Sequence, residues 1–123
     1  PNKAVMLLKS DGTNTSKAIT EKGYFTITSS AITAFTAVAG DQLLVDTTQT
    51  TVTITLPAAP AVGDEVVFID ARGTFASNNL TIERNGKPIN SGTNNLALAT
   101  NGQAITLVFI DSTRGWAYKT NTA

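Results

Sequence analysis

The sequence contains neither cysteine nor histidine. Without cysteine the chain has no disulfides and no thiolate metal sites, and without histidine it lacks the commonest general base and the commonest metal ligand. A catalytic triad built on histidine and the usual kinds of zinc centre are therefore excluded. We expect a protein that is not an enzyme and that has no cofactor and no metal site.

Charged residues are also scarce, at 15% of the chain, and nine basic residues balance nine acidic ones. Binding to nucleic acid normally needs a basic stripe that displaces counterions, and the sequence has no run of like charge. It also lacks a basic amphipathic segment for a membrane surface and an apolar run of the roughly 20 residues that span a bilayer. We expect neither nucleic acid nor membrane as a partner.

The N-terminal segment, Pro-Asn-Lys-Ala-Val-Met-Leu-Leu-Lys, becomes polar too soon for a secretory signal peptide. Pro1 is the residue that removal of an initiator Met would leave, so we expect a complete chain that is made in the cytosol. The acceptor sequences for N-glycosylation at Asn14 and Asn79 are then incidental.

The spacing of the apolar residues indicates strands. Residues 51–56 alternate Thr with branched aliphatic residues, which is the pattern of a strand with one buried face. Pro57 and Pro60 end this strand, because proline has no N–H to donate to a ladder. Residues 65–70 then form a second strand, and Asn-Gly pairs at 85–86 and 101–102 are strong hairpin signals.

About eight to ten short strands, separated by turn signals, are typical of an all-β sandwich or barrel. We therefore predict a single all-β domain, an antiparallel sandwich or a jelly-roll-like barrel. Residues 1–39 would form an N-terminal arm and the first strands, residues 40–119 the core β module, and residues 120–123 a frayed tail. Short helices within residues 18–22 and 29–39 remain open at this point.

Two strands carry consecutive apolar residues, Val-Val-Phe-Ile at 66–69 and Leu-Val-Phe-Ile at 107–110. Such a run is typical of a strand that is covered on both of its faces. One covering is the core, and we expect the other to be a contact between subunits. The candidate residues for this oligomer contact are Val67, Phe68, Ile69, Val108 and Ile110.

The same two strands end alike, in Asp-Ala-Arg-Gly at 70–73 and Asp-Ser-Thr-Arg-Gly at 111–115. If these ends are neighbours, their carboxylates and guanidinium groups would form a polar site for sugar or phosphate, with aromatic rings for stacking. The candidates are Asp70, Arg72, Asp111, Arg114, Trp116 and Tyr118. We favour the structural alternative, in which the aspartates accept turn N–H groups, the arginines pair locally and the tryptophan closes the core.

The remaining acidic residues form no recognisable set. The aspartates at 41, 46 and 64 are not spaced as in a calcium-binding loop. A glycosidase pair drawn from Asp70, Glu83 and Asp111 would also need a long substrate cleft, which we do not expect in a chain of 123 residues.

Several stretches together resemble a known family. Thr-Ile-Thr-Leu-Pro-Ala-Ala-Pro-Ala-Val-Gly-Asp-Glu-Val-Val-Phe-Ile-Asp at 53–70 is followed by Asn-Leu-Thr-Ile-Glu-Arg-Asn-Gly at 79–86, Ile-Thr-Leu-Val-Phe-Ile-Asp at 105–111 and Gly115-Trp116. This order is similar to a β module of tailed-phage virion proteins, in which a TITLP–P–GD strand pair precedes an LTI–NG stretch and a closing strand with Trp. The resemblance covers residues 40–119, about two thirds of the chain, and does not extend to residues 1–39.

The resemblance implies a virion structural protein without catalytic residues, because the module occurs in head and tail fibres and in small decorating proteins that are usually trimers. The chain has no stalk sequence, so we expect a homotrimeric decoration (cement) protein on the outer surface of the capsid, with the major capsid protein or another virion protein as partner. The alternatives are a receptor-binding or carbohydrate-binding fibre module, with a glycan as ligand, and, third, a small hydrolase.

The N-terminal residues contain one apolar cluster, followed by a long polar loop. Ordering such a segment costs about 1–2 kcal/mol per residue in backbone entropy, so it needs a compensating contact. We expect an arm that reaches a neighbouring subunit or the capsid, with Val5, Leu7 and Leu8 as anchors. An ordinary first strand, paired within its own sandwich, is the alternative.

Overall fold

The computed structural model describes residues 7–10, 16–19 and 23–122, and of the first two ranges the backbone alone. Within these ranges the chain is all-β and contains no helix, so none that could cross a membrane. The strands are β1 (Leu7–Ser10), β2 (Ser16–Ile19), β3 (Tyr24–Thr28), β4 (Ala34–Thr36), β5 (Gln42–Asp46), β6 (Val52–Thr55), β7 (Glu65–Asp70), β8 (Leu80–Glu83), β9 (Leu96–Leu98), β10 (Ala104–Asp111) and β11 (Gly115–Thr122).

These strands form a five-stranded sheet in the order β11-β10-β7-β5-β3, a four-stranded sheet in the order β4-β6-β8-β9, and the separate hairpin β1-β2. Between β3 and β8 every connection takes the chain from one sheet to the other. As a result β3, β5 and β7 run parallel to one another, and so do β4, β6 and β8.

The prediction of antiparallel sheets is therefore wrong, because both large sheets are mixed. The mixed pairing follows from the connections between the strands. The segment between β6 and β7, which carries Pro57 and Pro60, leads the chain across to the other sheet, and so do the four connections without proline between β3 and β6 and between β7 and β8.

The buried side chains of both sheets belong to one hydrophobic cluster. Along β7, Val66 and Phe68 are buried, whereas Val67 and Ile69 on the opposite face are half-buried. The same alternation on β10 buries Ile105, Leu107 and Phe109. Each strand thus has one core face, and the consecutive apolar runs divide between the core and the outer surface of the sheet.

Strands also lie on both sides of the predicted core module of residues 40–119. Residues 24–36 contain β3 and β4, whose Ile27 and Phe35 lie in the common core, so they belong to the same body as the segment from residue 40 onwards. At the other end β11 continues through the predicted frayed tail, with Thr122 opposite Ala104 of β10. The possible helix within residues 29–39 is absent, because β4 and turns occupy these positions.

Both Asn-Gly pairs form tight turns, but neither closes a hairpin of adjacent strands. Asn85 and Gly86 have φ angles of 52° and 87°, yet the antiparallel partner of β8 is β9, which begins only at residue 96. The turn at Gly102 joins β9 to β10, which lie in different sheets. A turn signal shows where the chain reverses and leaves open which strand it then joins.

Candidate functional site

Three of the predicted contact residues lie together on the outer face of the five-stranded sheet. Val67 and Ile69 alternate with buried residues on β7, so their side chains point away from the core. Leu44 of β5 lies beside Ile69, and Val108 of β10 lies opposite Glu65 on the other side of β7. We call Leu44, Val67, Ile69 and Val108 the outer strip; all four are half-buried.

Two predicted contact residues lie elsewhere. Phe68 is 0% exposed on the core face of β7, so it cannot contact a second subunit, and that assignment is corrected. Ile110 is 40% exposed at an irregularity of the β10–β11 ladder. Close to it is Val62, which is 77% exposed and precedes Gly63, whose N–H donates to the carbonyl of Phe109 at 2.9 Å. Val62 was not among the predicted contact residues; the signal in the sequence is an apolar residue within a turn.

An ion pair flanks the outer strip at each end of β7. Lys119 Nζ lies 3.0 Å from Glu65 Oε2, at the end where β7 begins. Arg72 Nε lies 3.5 Å from Asp46 Oδ2, beyond the end of β7. Exposed pairs of this kind contribute little to stability, but they leave the two ends of the strip without net charge.

Asp46 itself is also held by a turn. Hydrogen bonds from the side chain and from the backbone N–H of Thr48, the latter 2.9 Å long, lower the pKa of Asp46 below its ordinary value. The guanidinium of Arg72 lowers this pKa further, by a smaller amount. Asp46 therefore stays ionised beside the strip.

The carboxylate of Asp70 is a hub of backbone hydrogen bonds. It accepts five N–H groups at 2.9 to 3.3 Å, from Arg72, Gly73, Thr74, Phe75 and Gly102. Burial of this side chain raises its pKa, but the backbone hydrogen bonds together outweigh burial and lower the pKa of Asp70 below its ordinary value. The role of Asp70 is to hold the two turns around it, as the structural alternative predicted.

The predicted polar site does not assemble. β10 lies beside β7 but antiparallel to it, with Ala104 opposite Ile69 and Val108 opposite Glu65. Asp70 at the end of β7 and Asp111 at the end of β10 therefore lie at opposite ends of the sheet. The two strands lie side by side, but their antiparallel direction separates the two turns.

The groups at the second turn are bound locally. Asp111 Oδ1 accepts the N–H groups of Thr113 at 2.9 Å and Arg114 at 2.6 Å. Arg114 Nη2 donates to Asn90 Oδ1 at 2.8 Å. Both aspartates and both arginines of the predicted site are thus engaged in turn contacts or local pairs.

The two candidate aromatic residues differ in exposure. Trp116 is 0% exposed and stands edge-on to Phe109 with ring centroids 5.5 Å apart, and its backbone N–H donates to the carbonyl of Pro88 at 2.9 Å. It closes one end of the core and offers no ring face to a sugar, which corrects its assignment to a ligand site. Tyr118 lies on the same face of β11 and is 40% exposed.

The predicted N-terminal arm is described only in part. Val5 lies outside the described residues, while Leu7 and Leu8 belong to β1, whose backbone pairs with β2. In the described ranges neither β1 nor β2 pairs with a strand of the two larger sheets. The pairing of β1 with β2 therefore differs from the alternative of an ordinary first strand within the sandwich. The intersubunit arm stays a prediction.

Compared with known proteins, the sequence matches no family model and no curated protein. Residues 23–121, whose side chains the structure describes, contain no group of three acidic residues placed to hold a metal ion. The outer strip is the candidate functional site, because its four apolar side chains lie together on one face of the sheet and are only half-buried.

Proposed function

We propose that this chain is a virion structural protein of a tailed phage, a homotrimeric decoration protein that binds the outer surface of the capsid. The observation that carries the proposal is the outer strip, an apolar surface on an all-β domain with an ion pair at each end. The sequence resemblance described above supports the same class of protein.

The outer strip suits a subunit contact on energetic grounds. Complete burial of a Val, Leu or Ile side chain contributes about 1.5–3 kcal/mol, and each of the four residues has surface left to bury. Around a threefold axis the strips of three copies face one another, so that each copy gains the same contact. Phe68 supports this contact from behind, because it fixes β7 to the core.

We infer that the two large sheets are the layers of an open β-sandwich. Their buried residues share one cluster, and the rings of Phe25 on β3 and Phe35 on β4 stack across it at 5.7 Å. The parallel pairings favour this description over a jelly roll, which is built from antiparallel strands.

A non-enzymatic role accords with the state of the acidic side chains that the sequence analysis singled out. Asp70 accepts five backbone N–H groups, and Asp111 accepts two. A general acid or base must be within reach of a substrate proton, whereas these carboxylate oxygens are directed at the turns of their own chain.

The number of copies of this chain in purified virions of the phage that encodes it tests the proposal. We expect a multiple of three that corresponds to the capsid lattice, and rebinding of the purified trimer to stripped capsids. A chain that is absent from virions overturns the proposal. A few copies per particle, located at the tail, favour the fibre alternative instead.

The fibre alternative has one specific observation in its favour, which is the exposed ring of Tyr118. An exposed tyrosine ring can stack on a sugar ring. Binding on a glycan array that the substitution Tyr118→Ala abolishes would support a carbohydrate-binding module.

A further inference from the structure

The two sheets differ by one strand, and this leaves a gap beside the Tyr118 end of β11. At the other end residues 88–91 pair with β11, and Trp116 is fully buried. β3 faces β4 across the core through the ring contact of Phe25 and Phe35. Counting from that side, β5 faces β6, β7 faces β8 and β10 faces β9, so β11 has no strand opposite it. Tyr118, on the core-side face of β11, is 40% exposed, in keeping with the missing strand.

The strand that borders this gap, β9, has an edge that pairs with no strand in the described part of the chain. The hydrogen bonds from Val52 N to Asn79 O and from Leu56 N to Glu83 O direct the odd-numbered residues of β8 towards β6. The even-numbered residues of β8 therefore bond to β9, at Leu96 and Leu98. The N–H and C=O of Ala97 between them point away from the sheet, and Ala97 is exposed. Such an edge accepts an added strand.

The hairpin β1-β2 lacks a third strand to pair with. It is a two-stranded sheet: β2 lies close to β3 of its own chain, but in the described ranges no hydrogen-bonded ladder joins the hairpin to either large sheet. Isolated two-stranded hairpins are at best marginally stable in water, and a third strand is what stabilises them. A sheet that lacks one strand and a hairpin that needs one are complementary.

The hairpin cannot fill the gap of its own chain. It ends at Ile19, and β3 begins at Tyr24, so the five-residue step between them reaches about 17 Å at most. β3 is the strand of its sheet furthest from β11, four strand spacings or about 19 Å away, and the gap is a further sheet spacing of about 10 Å across the core. The direct line of about 21 Å runs through the core, and any route around it is longer.

We propose that the β1-β2 hairpin of one copy of this chain adds to the free edge of β9 in a second copy. The contact is head to tail, because the donating and accepting edges are different surfaces, and such a contact closes into a ring when the rotation between copies allows it. The inference rests on the homotrimer of the proposed function and adds to the outer strip a second contact between subunits, one that is independent of any capsid.

Cysteine cross-linking tests this contact, since the natural chain has no cysteine. One variant carries Ala97→Cys, and a second set carries one cysteine each, in Leu7→Cys, Leu8→Cys, Lys9→Cys and Ser10→Cys. We expect a mixture of the Ala97→Cys chain with at least one member of this set to form a mixed disulfide under mild oxidation. Ala76→Cys, at another exposed alanine, is the matched control and should form none with the same set.

A proline substitution tests the role of the free edge. Ala97→Pro removes an N–H that points away from β8, so the monomer should keep its fold, while self-association should weaken at least tenfold. Ala97→Ser keeps the N–H and should associate like the natural chain. A natural chain that is monomeric at micromolar concentration, cross-linking no stronger than that of the control, or undiminished association of the proline variant each overturns the inference. Absence of the chain from virions would instead overturn the proposed function alone.

Discussion

Asp70 Oδ2 accepts the N–H of Gly102 at 2.9 Å, across 32 positions of the sequence. Asp70 ends β7 in the five-stranded sheet, and Gly102 lies in the turn through which the chain leaves the four-stranded sheet. One carboxylate therefore joins the two sheets at the end where the chain crosses between them.

The first prediction concerns this carboxylate. Asp70→Asn should lower the free energy of unfolding by about 2–4 kcal/mol, because its amide group would place donors against backbone donors and remove hydrogen bonds to a charged acceptor. Urea denaturation measures the change. Asp111→Asn, at an exposed turn of similar sequence, is the control and should cost less than about 1 kcal/mol. Equal losses in the two variants would contradict the hub role of Asp70.

The second prediction is the pH dependence of this contribution. The pKa of Asp70 is lower in the folded chain than in the unfolded chain, where it is about 3.9. Its stabilisation is therefore fully present above about pH 4 and is lost as the pH falls through the lower folded value. The difference in unfolding free energy between the natural chain and Asp70→Asn should shrink below pH 4. A difference that stays constant down to pH 2 would exclude this linkage.

The third prediction concerns the close approach of Gly115 to Pro88. A Cβ atom at Gly115 would lie 1.9 Å from the Pro88 carbonyl oxygen, in a backbone with φ +72°. Gly115→Ala should therefore cost about 3 kcal/mol or more. Gly73→Ala has a similar φ of +70° but open space, and should cost only the backbone strain of about 1–2 kcal/mol. Thermal unfolding compares the two, and a similar loss in both would show that the Pro88 segment yields.

The fourth prediction separates the two faces of β7. Phe68→Asp should prevent folding, since it buries a charge without a partner, as judged by loss of the near-UV circular dichroism signal. Val67→Asp, one residue away on the outer face, should leave a folded chain whose mass by light scattering is that of a monomer. A trimeric Val67→Asp variant would remove the outer strip from the subunit contact.

Most strands could be predicted from local pattern. The alternation at residues 51–56 and the apolar run at residues 65–70 correspond to β6 and β7, and the all-β class is confirmed. Even the turn role of Asp70 was visible, because Asp followed by Gly is typical of turns. These features depend on residues within a few positions of one another, which is why the sequence indicates them.

Which strands pair, and which face of each strand is buried, depends on contacts between distant segments. Only the tertiary structure determined these features. Val67 and Phe68 are both apolar, and the sequence does not show that one faces the core and the other the outer strip. Likewise it shows that residues 70–73 and 111–115 are turns, whereas the antiparallel pairing of β7 with β10 places them at opposite ends of the sheet. By itself the sequence determined the strands and turns, because local hydrogen bonding and side-chain alternation specify them. The parallel pairing across two sheets was decided only by tertiary structure, because burying the apolar faces in one shared core is a property of the whole chain.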